Sequence, residues 1–226
     1  MKQIQKAPEP TDLTEWRAQH SNDPNFGYDL IDSGLRATIK QALLDEQGRI
    51  DAYTEQRIWE DSSHIEHLKA QTHCTPDEEV SYTTNMVACY PSPNSAGGAS
   101  YGAVYKESWP SPQKNHLFVS PLSKNCDQRF RYGKHGSVEA ASSNDDAAQK
   151  TIEELNLNHK TLRTYRQSAV RGTLGSNYSL SSRKAKIRLR RLKRESGSEI
   201  TPFYSAIKQA LEDHIQRLEY IRQQSG

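Results

Sequence analysis

His64-Ile65-Glu66-His67 sets two imidazoles and a carboxylate within one short stretch of this chain. Imidazole is the side chain whose unperturbed pKa lies between about pH 5 and 8, so a histidine can take a proton from water near neutrality. A carboxylate beside it can hold a divalent ion. In an extended segment, residues two apart share a face, so His64 and Glu66 point one way and His67 the other; on a helical turn His64 and His67 converge instead. The residue types alone leave both geometries open.

Outward from this stretch, 226 residues suffice for one medium domain or a domain with a helical appendage. The hydrophobic fraction is 34% and the mean hydropathy −0.91, which leaves much surface for a partner. The net charge of +2 hides an asymmetry: Arg183 to Arg194 holds eight basic residues and no acid, so the remainder is acidic. That run contains good helix formers, and Ala185, Leu189 and Leu192 fall on one stripe. Its other faces are cationic and suit a phosphate backbone, with Lys184, Arg188, Arg190, Arg191 and Arg194 as the contacts. A solvated face, or a surface that pairs with an acidic protein, is the bland alternative. Cys74, Cys89 and Cys126 have neither an even count nor paired spacing, which argues against a secreted disulfide framework. No apolar run reaches the roughly eighteen residues that span a bilayer, so the expectation is a cytoplasmic protein with no membrane contact. No Walker-type loop or dinucleotide fingerprint is found.

Periodicity predicts helices over Thr11–Gln19 and Gly34–Gln47. Pro91, Pro93, Pro110 and Pro112 with Gly97-Gly98 mark long loops. Phe130–Tyr132 and Ser137–Glu139 predict a hairpin around Gly133 and Gly136. Asp145 or Asp146 is expected to cap a helix through Leu155, and Asn158 a second one to about Leu174, with Leu162, Tyr165 and Ala169 inward. Thr201-Pro202 is expected to open a last helix to about Arg222, with Phe203, Ile207, Leu211, Ile215, Leu218 and Ile221 as its apolar stripe.

Several segments, in this order, carry a family likeness: Met1–Lys6, Pro8–Trp16, Ile39–Gly48, His64–His67, Asn85–Cys89, Leu117–Leu122, Cys126–Tyr132 and Ala148–His159, which reads AQKTIEELNLNH. The chain resembles the HNH endonucleases that accompany an ABC-type ATPase in Septu-type and retron-associated anti-phage defence systems. The resemblance implies an α+β, mostly helical fold. Its parts are an N-terminal helical lead-in at 1–48, an HNH (ββα-metal) nuclease core at 49–140 and a C-terminal helical region at 141–226, with the basic helix at 183–194. It implies a phosphodiester hydrolase in which His67 is the general base, Asn85 holds the loop that orients it, and Glu66 and His64 bind Mg²⁺ or Mn²⁺.

The chain departs from the family where a structural zinc is usual. The first knuckle reads Asp51-Ala52-Tyr53-Thr54, and of the second only Cys89 remains, with Ser100-Tyr101 at the later pair. Asp51, Thr54, Cys89 and Tyr101 are thus degenerate zinc positions, and no structural zinc is expected from one thiolate. Packing, for example by Tyr53, Tyr101 and Tyr105, or a partner protein is expected to replace it. The last metal ligand is also missing from Ser100–Lys106, with Asn115 and His116 the nearest substitutes; Lys106 and Lys114 read as solvated or as phosphate contacts. The partners implied are the ATPase, a nucleic acid and, where a retron is present, its reverse transcriptase with the RNA-DNA product. Two alternatives stand beside cleavage of DNA: cleavage of a structured RNA such as tRNA, and a non-catalytic adaptor that joins the ATPase to nucleic acid.

Overall fold

The computed structural model describes residues 1–92, 98–175, 177–195 and 199–224. Pro93 and Gly97, expected in a long loop, lie outside them. About half of the chain is helical, and two small antiparallel sheets complete an α+β fold. No helix among the described residues is long and apolar enough to cross a membrane.

Two helices lead in, α1 (Thr11–His20) and α2 (Ser33–Glu46). The Asp32 carboxylate starts α2 by accepting from Gly34 N and Leu35 N at 2.7 and 3.0 Å, a good N-cap for otherwise orphaned donors. Leu35, Ile39 and Leu43, spaced four apart, then give α2 a buried stripe. It stops at Gly48, whose φ of +61° favours glycine; a Cβ there would lie 2.4 Å from the Ile200 side chain.

The first sheet pairs β1 (His64–His67) with β2 (Met86–Cys89) in the register His64 to Cys89 and His67 to Met86. Between them lie two one-turn helices, α3 (Pro76–Glu79) and α4 (Tyr82–Asn85). Every residue of β2 is buried because the ribbon is covered on both faces. Val87 and Cys89 enter a core with Met1, Tyr53, Val119 and Leu155. Met86 and Ala88 enter another with α1, α2 and Tyr82. Opposed residues share a face, so His64 and Glu66 lie on the first side and His67 on the second. The extended geometry, not the helical one, is adopted.

After β2 comes the one-turn α5 (Ala103–Lys106), then the hairpin β3 (Phe130–Tyr132) and β4 (Val138–Ala140). Helices α6 (Asp146–Glu154), α7 (Lys160–Leu174), α8 (Ser182–Leu192) and α9 (Tyr204–Gln224) follow. Asp145 caps α6 by accepting from Ala148 N. A third core joins Val170, Leu174, Ala185 and Leu192 to Phe203, Ile207, Leu211 and Ile215.

Four expectations are corrected. His159, not Asn158, caps α7; the Asn158 amide instead clamps Val138, accepting from its N and donating to its O, both at 2.8 Å. Tyr165 is exposed, and Arg166 takes the inward place one turn after Leu162, satisfied by the carbonyls of Gly136 and Leu157. Thr201-Pro202 does not open α9, because Phe203 has φ +56° and Thr201 is held by the Glu195 carboxylate. The helix begins at Tyr204, and Glu55, a residue far away in sequence, accepts from Ser205 N in the first turn. The buried stripe of α9 ends at Ile215: Leu218 is half-buried and Ile221 exposed.

Candidate functional site

His67 is buried on β1 with its Nε2–H donating to the Glu79 carbonyl at 2.9 Å and the Tyr28 ring meeting it edge-on, centroids 4.7 Å apart. The bond to Glu79 fixes the tautomer and leaves Nδ1 as the basic nitrogen. Nδ1 has no hydrogen-bond partner among the described residues. Burial pulls the His67 pKa below the ordinary imidazole value, against the opposing pull of the Glu79 carbonyl and of Glu66. The ring is therefore neutral and proton-accepting at neutral pH.

Asn85, the last residue of α4, holds that arrangement. Its Oδ1 accepts from Lys69 N at 2.7 Å, and its Nδ2 donates to the Glu78 carbonyl at 2.9 Å and to Cys74 Sγ at 3.3 Å. The first bond secures the chain just beyond β1. The second secures the end of α3, where the carbonyl that orients His67 is found. A capping box between Thr75 and Glu78 fixes the start of that short helix.

On the other face of β1, Glu66 is the centre of a charge cluster. Lys106 Nζ lies 2.8 Å from Glu66 Oε1 and His64 Nε2 3.6 Å from Oε2; the Tyr53 hydroxyl donates to Oε1 at 3.3 Å. His64 Nδ1–H donates to the Pro91 carbonyl at 2.5 Å. Burial alone would raise the Glu66 carboxyl, but His64 and Lys106 outweigh it and hold it below the usual carboxylate value. Burial would likewise lower His64, and the bond to Glu66 with its charge overcomes that and raises it.

Lys106, expected to be solvated or a phosphate contact, is instead buried in this cluster. Its side chain is 1% exposed, and the ammonium also donates to the His67 carbonyl at 3.1 Å. Helix α5 delivers it from Gly102, whose φ of +71° turns the chain and whose N donates to the Leu155 carbonyl. A lysine in an irregular stretch reads as solvated; its place four residues after Gly102, at the end of the stretch that lacks the last ligand, is the one signal that could have found it.

Glu66 and His64 are together, as a metal pair requires, yet no group of three or more His, Cys, Asp or Glu that could hold a metal exists among the described residues. Asn115 and His116 are exposed and add nothing to the cluster. A hard divalent ion takes about six ligands, mostly oxygens. Water can complete such a shell around two protein donors, but here a buried ammonium is already bound to one of them, and that does not fit a second cation.

The degenerate zinc positions have a different chemistry. Asp51 is buried and accepts from Tyr53 N, Thr54 N and Thr54 Oγ1 through Oδ1, and from Tyr90 N at 2.7 Å through Oδ2. One carboxylate thus ties the 51–54 loop to the end of β2. Burial raises its pKa in spite of these bonds and pushes the Cys89 thiol well above its usual value. Tyr101 stacks on Tyr90 and donates to Gln56. Tyr53 and Tyr101 pack as expected, whereas Tyr105 is half exposed.

The basic residues lie on α8, which ends at Leu192 rather than at 194, so that Arg194 stands on the turn after it. Ala185 and Leu192 are buried against α9, while Lys184, Arg188, Arg190, Arg191 and Arg194 are exposed. Arg188 donates to the Thr173 carbonyl. Lys186 and Lys193, beside them, pair with Glu219 and Glu212 of α9. Lys184, Arg190, Arg191 and Arg194 have no ion-pair partner among the described residues.

No protein-family model and no curated protein matches this sequence.

Proposed function

We propose that the chain is an HNH-type endonuclease that hydrolyses phosphodiester bonds of nucleic acid, DNA first, through His67. One observation carries the reading: a buried, neutral imidazole whose Nε2 is committed to the Glu79 carbonyl while Nδ1 is left free, in a loop held by Asn85. The order β1, β2, α5, with α5 reaching back onto β1 through Lys106, supports the family resemblance. A water at Nδ1 gives up its proton as its oxygen bonds to phosphorus; the bond from phosphorus to the 3′ oxygen breaks, and that oxygen takes a proton from solvent. Substrate is held by its phosphates on the exposed face of α8. A structured RNA such as tRNA would satisfy the same groups. The defence setting, the ABC-type ATPase partner and a retron reverse transcriptase rest on the resemblance alone.

Cleavage of plasmid DNA or total tRNA by the chain with its co-encoded ATPase, lost in His67→Ala, tests the reading; equal traces from both proteins remove it. A second reading has its own observation. The neutralised Glu66–Lys106 pair, together with a helix α8 that carries exposed arginines without ion-pair partners among the described residues, favours an adaptor, in which charge reversal at Arg190 and Arg191 abolishes the phenotype and His67→Ala does not.

A further inference from the structure

We propose that Lys106 is the resident cation of this site: its ammonium sits on Glu66 where a divalent ion would sit, and the chain takes no divalent metal there. The placement is built in, not a chance pose of a long side chain. Lys106 is on the only turn of α5, its N donates to the Gly102 carbonyl, and Gly102 N is tied to Leu155. The ammonium has two acceptors, Glu66 Oε1 and the His67 carbonyl, and its side chain is sealed from water.

Charge balance gives the same answer. Glu66 and Lys106 neutralise each other in a buried setting. An ion coordinated at Glu66 at about 2.0 to 2.2 Å would lie against the ammonium, and two cations would share one carboxylate. Their repulsion is strong at low dielectric, and among the described residues His64 is the only other His, Cys, Asp or Glu side chain on that carboxylate. The position is also the one the chain lacks by resemblance: Gly102 brings no ligand, and the next turn brings a fixed charge instead.

The consequence for catalysis rests on the endonuclease reading: cleavage through His67 persists when divalent ions are chelated. The metal-binding claim stands without it. The test titrates the full chain with Mn²⁺ and follows the free ion by electron paramagnetic resonance, for wild type, Glu66→Gln and Lys106→Met, each checked for folding by circular dichroism. Wild type and Glu66→Gln are expected to give the same titration, and Lys106→Met to gain a site that adding Glu66→Gln removes. A Mn²⁺ ion bound by wild type and lost in Glu66→Gln overturns the proposal. Because that comparison uses two variants that keep Lys106, it stands even if Lys106→Met does not fold.

Cleavage of tRNA and plasmid in EDTA, with His67→Ala as the blank, keeps the two failures apart. Activity that EDTA abolishes overturns the metal-free cleavage and leaves the endonuclease intact, and the Mn²⁺ titration then decides whether the ion is held at Glu66. Activity absent from both proteins removes the endonuclease, and the Mn²⁺ titration still decides Lys106.

Discussion

Lys106 and the face of α8 hold positive charge in opposite ways. Lys106 is sealed, with its counter-charge at 2.8 Å; Lys184, Arg190 and Arg191 project from a helix whose apolar side is the part that packs, and Arg194 from the turn after it. The buried cation is bound into the fold, and its removal strands a carboxylate. The exposed ones are free to meet an external anion, and their removal strands nothing. One charge in the site therefore matters more to folding than several on the helix, whereas binding of a polyanion should reverse that ranking.

The sharpest way to break the comparison is Lys106→Met. Removing one partner of a buried pair costs about 3 to 5 kcal/mol, read as a fall in the urea midpoint; a change near zero would mean that the ammonium is not sealed. Glu66→Gln with Lys106→Met should recover part of the loss, since neither charge is then left alone. Next in size is Asn85→Ala. It frees the Lys69 N–H and the Glu78 carbonyl and costs about 2 to 3 kcal/mol. It also loosens the Glu79 carbonyl that orients His67, so activity should fall further than stability accounts for. Equal activity per folded molecule would separate Asn85 from the site.

The sequence carried the helices well and the charge cluster poorly, for one physical reason. A helix is announced by neighbours: Asp32 before the stripe of α2, Asp145 before α6, and the alternation of apolar and basic residues in α8 all lie within a few positions of what they explain. The pairing of His64–His67 with Met86–Cys89 is not legible, because the residue types of 64–67 suit a strand or a helical turn alike. Lys106 is explained by Glu66, forty positions earlier, and the start of α9 by Glu55, about 150 positions earlier. Where a distant carboxylate supplies the partner, local pattern gives the default, a solvated lysine or a Thr-Pro cap. Tyr165 and Arg166 fail in the same way: the carbonyls of Gly136 and Leu157 make the arginine the buried member.

The two faces of β1 give a smaller, pH-dependent contrast. His67, lowered by burial, stays neutral where an unfolded imidazole protonates, so its contribution is lost as pH falls through about 6.5 toward its folded value. His64 is raised on balance, Glu66 and the Pro91 carbonyl outweighing burial. Its contribution is complete below about pH 6.5 and is lost as pH rises through its folded value. The Cε1–H resonances of the two rings, followed by NMR, should titrate on opposite sides of the free value. With His64→Gln, the gain of stability as pH falls toward about 6.5 should disappear while the loss below it, due to His67, remains; coincident titrations would deny the two faces their difference.

The smallest effect on folding belongs to α8. Arg190→Glu and Arg191→Glu together should leave stability within roughly 0.5 kcal/mol for each site, since neither has a partner to lose. Binding is where these residues should count. Replacing either with alanine should lower the slope of log affinity against log salt by about one for each phosphate left unneutralised, and weaken all sequences alike. Lys186 and Lys193, already paired with Glu219 and Glu212 of α9, serve as internal controls: their removal should change the slope less. A slope unchanged by Arg190 and Arg191 would make α8 a protein-facing surface, and the exposed cations would then be matched by acids of a partner rather than by phosphates.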